Sequence, residues 1–240
     1  MLVRRLSTAA APWHCALCAA ETAHVDRAAQ QRALIAERGS GRRGDDEMLQ
    51  PSQSPDRALH ESFATETECR RAVHLLKAAL GDVLDPPDRL LPLDAPYAEE
   101  LLGAAGTALL GTLAERIDAH VRAVDPNARR AGTLVSWITG GAGNESTGTY
   151  AMHIDKANRE QYDLSCLLYL SSAEGDFQGG LFAFNDADRD RLVVPRAGRL
   201  LTFCSGAHNV HGVRPVSSGD RLVLSAWFQR GRAARPHNLD

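Results

Sequence analysis

Near Arg130 the period of the apolar residues changes, and few architectures accommodate both halves of such a chain. Upstream, residues 65–80 place Cys69, Ala72, Val73, Leu76 and Ala79 on one helical face behind a Thr65–Glu68 capping-box pattern. Residues 97–124 repeat that spacing through Leu101, Leu102, Ala105, Leu109, Leu113 and Ile117. Downstream the period falls to 2, and β-rich runs follow one another with Gly, Pro, Asn or Asp between them. These runs are 133–139, 150–155, 164–170, 181–184, 191–194, 199–204, 208–213 and 221–228. Eight closely spaced strands after two helices predict an α+β fold, a jelly roll or sandwich with the N-terminal helices packed on one sheet. Such architectures hold small ligands between their sheets or at their mouths.

The chain has 240 residues, 44% apolar and 24% charged, with a formal net charge of −3. One core of that size needs no metal or disulfide merely to fold. Mixed charge near neutrality excludes a strong nucleic-acid footprint. Five scattered cysteines, an odd number, exclude a disulfide scaffold, and the lone CxxC of Cys15 and Cys18 reads as chance thiols in a leader. The first twenty residues, with Arg4, Arg5 and no acid before Glu21, resemble an organelle transit peptide. No transmembrane segment is expected, since the uncharged stretch 101–114 is too short to span a bilayer. The expected setting is soluble, cytoplasmic or organellar. Residues 1–62, with GSGRRGDD and PSQSP, read as leader and low-complexity extension, partly disordered. Residues 63–240 read as one domain, with helical support at 63–130 and a β core at 131–230.

His153-Ile154-Asp155 is an HxD pair. With 9 His and 18 Asp, about 0.7 such pairs arise by chance, and His24-Val25-Asp26 is a second copy. Local structure separates the two. On a strand, residues i and i+2 point the same way, whereas on a helix they cannot share one ion. His24 lies in an Ala/Gln-rich helical run and His153 near the end of an alternating strand, so only His153 and Asp155 are expected to chelate. For a third ligand, His208, His211 and His237 lie downstream. His211 is preferred over His208, which strand alternation turns to the opposite face. Two His and one carboxylate would make the facial triad that leaves open positions on non-haem Fe(II).

Arg221 opens the apolar strand RLVLSAWF, with Arg221, Val223, Ser225 and Trp227 on one face. An inward guanidinium needs an anion and matches a carboxylate as a fork. The bland alternative pairs it with Asp220 or Glu174 in solvent. Tyr169, in LSCLLYLS, is either core filler or a hydroxyl donor to the same carboxylate.

Taken in order, HID, YDLSCLLYLS, FQGGLFAF, PRAGRLLTFCSG and HGVRPVSSGDRLVLSAWF resemble the catalytic domain of 2-oxoglutarate- and Fe(II)-dependent oxygenases of the prolyl 4-hydroxylase type. The resemblance runs over 131–229. HxDK with Lys156 and the PRAGR stretch bring it nearest to the subgroup of 2-oxoglutarate and iron-dependent oxygenase domain-containing protein 3. It implies a double-stranded β-helix of the jelly-roll, cupin-like kind. Iron would be held by His153, Asp155 and His211, with Arg221 on the distal carboxylate of 2-oxoglutarate and Tyr169 as a second contact. The implied reaction couples O2 activation and decarboxylation of 2-oxoglutarate, to succinate and CO2, to hydroxylation of a peptide or protein side chain, prolyl among the candidates. The implied cofactors are Fe(II), 2-oxoglutarate and O2, with L-ascorbate keeping the iron reduced. Relatives in that subgroup are membrane-anchored and associated with the endoplasmic reticulum.

The sequence departs from the family in the Gly-rich loop TGGAGNESTGT, which leaves no obvious aromatic at the usual co-substrate position, so Trp137 or Tyr150 stands in. Asn144-Glu145-Ser146 is a glycosylation sequon, relevant only in a secretory protein. Loops 140–149 and 156–161 are expected to border the mouth. Two other classes compete: a catalytically silent metal- or ligand-binding β-sandwich, and a Zn metallohydrolase using the same triad. Arg221 discriminates, because a hydrolase has no use for a co-substrate carboxylate clamp.

Overall fold

The computed structural model describes residues 46–49, 56–81, 88–141 and 151–230. Cys15, Cys18, the His24–Asp26 pair, the 144–146 sequon, Tyr150 and His237 lie outside the described residues.

Helix α1 (Glu66–Leu80) starts where the sequence places it: Thr65 Oγ1 accepts from the Glu68 N–H at 3.2 Å, and the Glu68 carboxylate accepts from the Thr65 N–H at 2.8 Å. Helix α2 (Ala98–Arg122) is interrupted by Gly103 at φ +62. Its inward stripe holds Leu102, Leu113 and Ile117 as expected and shifts by one position only in the middle. Gly106 and Leu110 are buried where Ala105 and Leu109 were expected. Both helices lay Leu76, Leu80, Leu110, Leu113 and Ile117 against Val135, Trp137, Leu168, Leu222 and Leu224 on the outer face of one sheet.

Two sheets face each other as a double-stranded β-helix. The larger runs β2 (Arg57–His60), β9 (Leu200–Cys204), β5 (Leu164–Tyr169), β11 (Val216–Gln229), β4 (Arg129–Thr139) and β3 (Asp88–Pro92), with β6 (Phe177–Gly179) pairing the start of β11. The smaller runs β1 (Glu47–Met48), β8 (Asp190–Val193), β7 (Phe182–Asn185) and β10 (His211–Val213). Between them lie Leu49, Tyr169, Phe182, Phe184, Leu201, Phe203 and Val223. Among the described residues no helix is long and apolar enough to cross a membrane.

Four strands, β1, β2, β3 and β6, escape the period-2 reading because each is short and sits beside loop-like composition. The most consequential is Arg57–His60. Composition left it with the extension ending at 62, yet it pairs along β9 from Arg57↔Phe203 to His60↔Leu200. The reverse error occurs at 150–155. His153 forms only an isolated bridge to His211, and Asp155 opens the short helix α3 (Asp155–Asn158).

Candidate functional site

The site is built where β10 meets the segment carrying His153. His153 and His211 exchange both backbone hydrogen bonds, at 2.8 and 3.0 Å, so their Cα atoms are held as an antiparallel pair. Their rings lie 4.3 Å apart between centroids. Asp155, at the start of α3, turns back toward both: Oδ1 is 3.4 Å from His153 Nε2 and Oδ2 is 3.7 Å from His211 Nε2. One ligand atom from each of the three residues lies within 4.8 Å of the others, the one such cluster found among the described residues. His153 and Asp155 therefore come together as the strand argument expects, but on a different element. A bridge followed by a helical turn brings the two side chains together.

Each imidazole is oriented by its other nitrogen. His153 Nδ1 meets the Ala151 carbonyl at 2.9 Å and His211 Nδ1 meets the Asn209 carbonyl at 2.8 Å. A carbonyl only accepts, so both Nδ1 atoms carry a proton and both Nε2 atoms are turned toward Asp155. Burial, with His153 alongside, pushes His211 down to about 4 against the pull of Asp155, so this ring is neutral and ready to ligate at pH 7. Burial also works against charge on His153, but the hydrogen bond and charge of Asp155 outweigh it and raise its pKa. For Asp155 burial is again outweighed, by His211, His153 and the Ser165 hydroxyl, and the carboxyl lies well below the usual range. Ser165 Oγ donates to Asp155 Oδ2 at 2.6 Å and meets Ser205 Oγ at 2.7 Å.

His208, the rejected alternative, is engaged elsewhere: its Nε2 lies 2.7 Å from Asp56 Oδ2. Lys156 is not on an exposed mouth loop as expected. It is buried, and its ammonium is bonded to Asp163.

Further in, Arg221 and Tyr169 share the inner face of the larger sheet. Arg221 pairs Ile138 across β4, and Tyr169 pairs Val223 across β11. Arg221 is 2% exposed, its Nε donates to the Gly180 carbonyl at 3.0 Å, and its guanidinium carbon lies 5.6 Å from the centre of the Tyr169 ring. Asp220, offered as its partner in solvent, instead accepts from Lys77, Trp137 and Thr139. Gly180, at φ +63, leaves room: a Cβ there would come within 2.7 Å of the Phe177 ring and 3.1 Å of Arg221 Cδ. The Tyr169 hydroxyl is buried without a hydrogen-bond partner among the described residues. Burial, offset only in part by Arg221 and Arg199, pushes it up to about 12, so it remains a donor. A buried guanidinium beside an orphaned phenol suits a small carboxylate. Trp137 is excluded from this role. Its register with Leu222 turns it to the outer, helix-covered face, with its indole N–H on Asp220 at 2.8 Å.

Ser165 and Asn209 were missed as supports of the site. Ser165 was legible as a polar residue on the inward side of the Ser165, Leu167, Tyr169 alternation; Asn209 carried no such signal.

Residues 140–229 match a family model described as the 2OG-Fe(II) oxygenase superfamily. A Xenopus tropicalis protein named 2-oxoglutarate and iron-dependent oxygenase domain-containing protein 3 is 46% identical over 76 residues, 32% of this chain and 24% of that protein. Prolyl 3-hydroxylase 1 of Gallus gallus is 42% identical over 69 residues, 28% of this chain and 9% of that protein. The matched segments thus span a quarter or less of these relatives. Among solved structures, a Pseudomonas putida prolyl-4-hydroxylase superposes with a TM-score of 0.51 at 22% identity, covering 73% of this chain and 93% of that one. A Trichoplax adhaerens prolyl hydroxylase, in complex with a peptide fragment of a hypoxia-inducible factor, gives 0.51 at 16% identity, covering 73% and 84%.

Proposed function

We propose that the chain, whose residues 140–229 match the 2OG-Fe(II) oxygenase superfamily, is a 2-oxoglutarate-dependent dioxygenase hydroxylating a peptide or protein side chain. The observation that carries the reading is the grouping of His153, Asp155 and His211 within 4.8 Å, on the same interior as the buried Arg221 and the orphaned Tyr169 hydroxyl.

In this reading His153 Nε2, Asp155 and His211 Nε2 hold Fe(II), and Arg221 with Tyr169 takes the distal carboxylate of 2-oxoglutarate. Bound there, Fe(II) and 2-oxoglutarate supply O2 activation coupled to release of CO2 and succinate, with the second oxygen atom going to a substrate carbon. The chain's own residues do the positioning. Ala151 and Asn209 carbonyls hold the imidazole protons on Nδ1, and Ser165 orients the Asp155 carboxylate. The aromatic wall of Phe182, Phe184 and Phe203 around His211 keeps water from its buried side. The peptide class is supported by the prolyl hydroxylase names of the similar proteins, and ascorbate as reductant belongs to the same proposal.

The test is turnover of 2-oxoglutarate to succinate by the purified chain with Fe(II), ascorbate and a panel of proline, lysine and asparagine peptides, read by mass spectrometry. Substrate-stimulated succinate with gain of one oxygen on a peptide is expected, and loss of both in Asp155→Ala. Succinate formation that survives Asp155→Ala contradicts the assignment.

A further inference from the structure

Upstream of the matched region, β2 supplies a buried arginine that no part of the chemistry above uses. Arg57 is 5% exposed and reaches from the larger sheet across the end of the sandwich. Its Nη1 and Nη2 donate to both carboxylate oxygens of Asp186, at 2.8 and 2.6 Å, in the turn between β7 and β8. Its Nε donates to Asn209 Oδ1 at 2.7 Å, and its guanidinium lies 3.9 Å from the centre of the Phe184 ring.

Asn209 is fully buried and every polar atom of its side chain is engaged. Oδ1 takes Arg57, while Nδ2 donates to Asp56 Oδ2 at 3.0 Å and to the Cys204 carbonyl at 2.8 Å. The same residue's backbone carbonyl accepts from His211 Nδ1 at 2.8 Å. Nδ1–H is the minority tautomer of free imidazole, so something must hold it, and this carbonyl does. A carbonyl in a loop of six residues between β9 and β10 keeps its direction only if the loop is pinned, and Arg57 with Asp56 pins it from another strand.

We propose that Arg57 is a positioning residue for the metal centre: through Asn209 it holds the loop carbonyl that keeps the His211 proton on Nδ1 and its Nε2 lone pair turned toward Asp155. The proposal rests on the reading of His211 as a metal ligand. It also makes the segment 56–60, outside the matched 140–229, part of the functional unit. Outer supports of metal-binding histidines typically change metal affinity by 10–100-fold. As the support one residue further out, Arg57 is expected at the lower end.

The experiment uses the full chain, metal-free and at neutral pH, with ¹⁵N-labelled histidine. In the wild type the ring-nitrogen shifts of His211 report protonation at Nδ1. In Arg57→Gln they move toward the Nε2-protonated average, and Co(II) used as a spectroscopic probe binds about tenfold more weakly. Arg57→Lys, which keeps the positive charge near Asp186 but has no Nε–H to donate to Asn209, shows the same tautomer change. Asp186→Asn, which keeps the shape and removes the charge opposite the fork, shows it more weakly and serves if Arg57→Gln does not fold. Folded variants that keep both the wild-type His211 tautomer and wild-type Co(II) affinity overturn the proposal. Wild-type protein that leaves Co(II) unbound overturns the metal reading instead, and the tautomer comparison still decides whether Arg57 orients His211.

Discussion

Arg221 and Gly180 act as a unit. The guanidinium is held by the Gly180 carbonyl, and the glycine's missing Cβ is the space its side chain passes through. Arg221→Ala is expected to raise the 2-oxoglutarate requirement by roughly 10- to 150-fold, the equivalent of about 1.5–3 kcal/mol for a charge-assisted contact, with Fe(II) affinity little changed. Titration of 2-oxoglutarate against decarboxylation rate measures it. Gly180→Ala is expected to act in the same direction. Its φ of +63 disfavours a side chain, and the new methyl group meets the Phe177 ring, Val216 and Arg221. A Gly180→Ala protein with unaltered 2-oxoglutarate dependence would show that this packing does not place Arg221. Both effects were half-legible: an arginine opening an apolar strand announces itself, but which glycine of FQGG it leans on depends on how β6 turns into β7.

At the scale of elements, the support under the sandwich is set by helix ends and by contacts between β2 and α2. Thr65→Ala removes one half of the capping box on α1 and is expected to lower stability by about 1 kcal/mol without changing metal affinity, measured by denaturant unfolding with and without Co(II). Between β2 and α2, His60 Nε2 and His120 Nε2 lie 3.4 Å apart. Burial, with His120 alongside, lowers His60 from 6.5 to about 4, and burial lowers His120 too. The folded state therefore refuses protons that the unfolded chain accepts. The contribution of the pair is whole above pH 6.5 and is lost as pH falls from 6.5 toward 4. Thermal unfolding of the wild type should steepen its decline across that window, and His60→Gln should flatten it. Equal slopes for the two proteins would remove the pair from the account. The capping box was visible as Thr65 and Glu68 spaced by three. The histidine pair was not, because it joins residues 60 apart through a strand that composition assigned to a linker.

For the whole molecule, the change of period near Arg130 was enough to place two helices against one face of a two-sheet sandwich. That pattern survives in sequence because outer-face residues such as Leu222 and Leu224 alternate with inner-face Arg221 and Val223. What period could not carry was closure. The strands β1 and β2, before residue 62, pair with β8 and β9 through two and four residues, too short to leave a periodic trace. The site was legible to the extent that its chemistry is scarce: His153, Asp155 and His211 come together, but through a backbone bridge and a helical turn rather than one continuous strand. The supports that orient them lie on β2, β5 and the loop before β10, where Arg57, Ser165 and Asn209 look in sequence like ordinary polar residues.

The central claim is that one ion at His153, Asp155 and His211 shares its open positions with 2-oxoglutarate anchored at Arg221. Mixing the purified full chain with Fe(II) and 2-oxoglutarate under anaerobic conditions tests it most directly. A weak visible charge-transfer band should appear with wild-type protein, require far more 2-oxoglutarate in Arg221→Ala, and be lost in Asp155→Ala. Wild-type protein fully loaded with iron that develops no band, or a band that Asp155→Ala leaves intact, would contradict it.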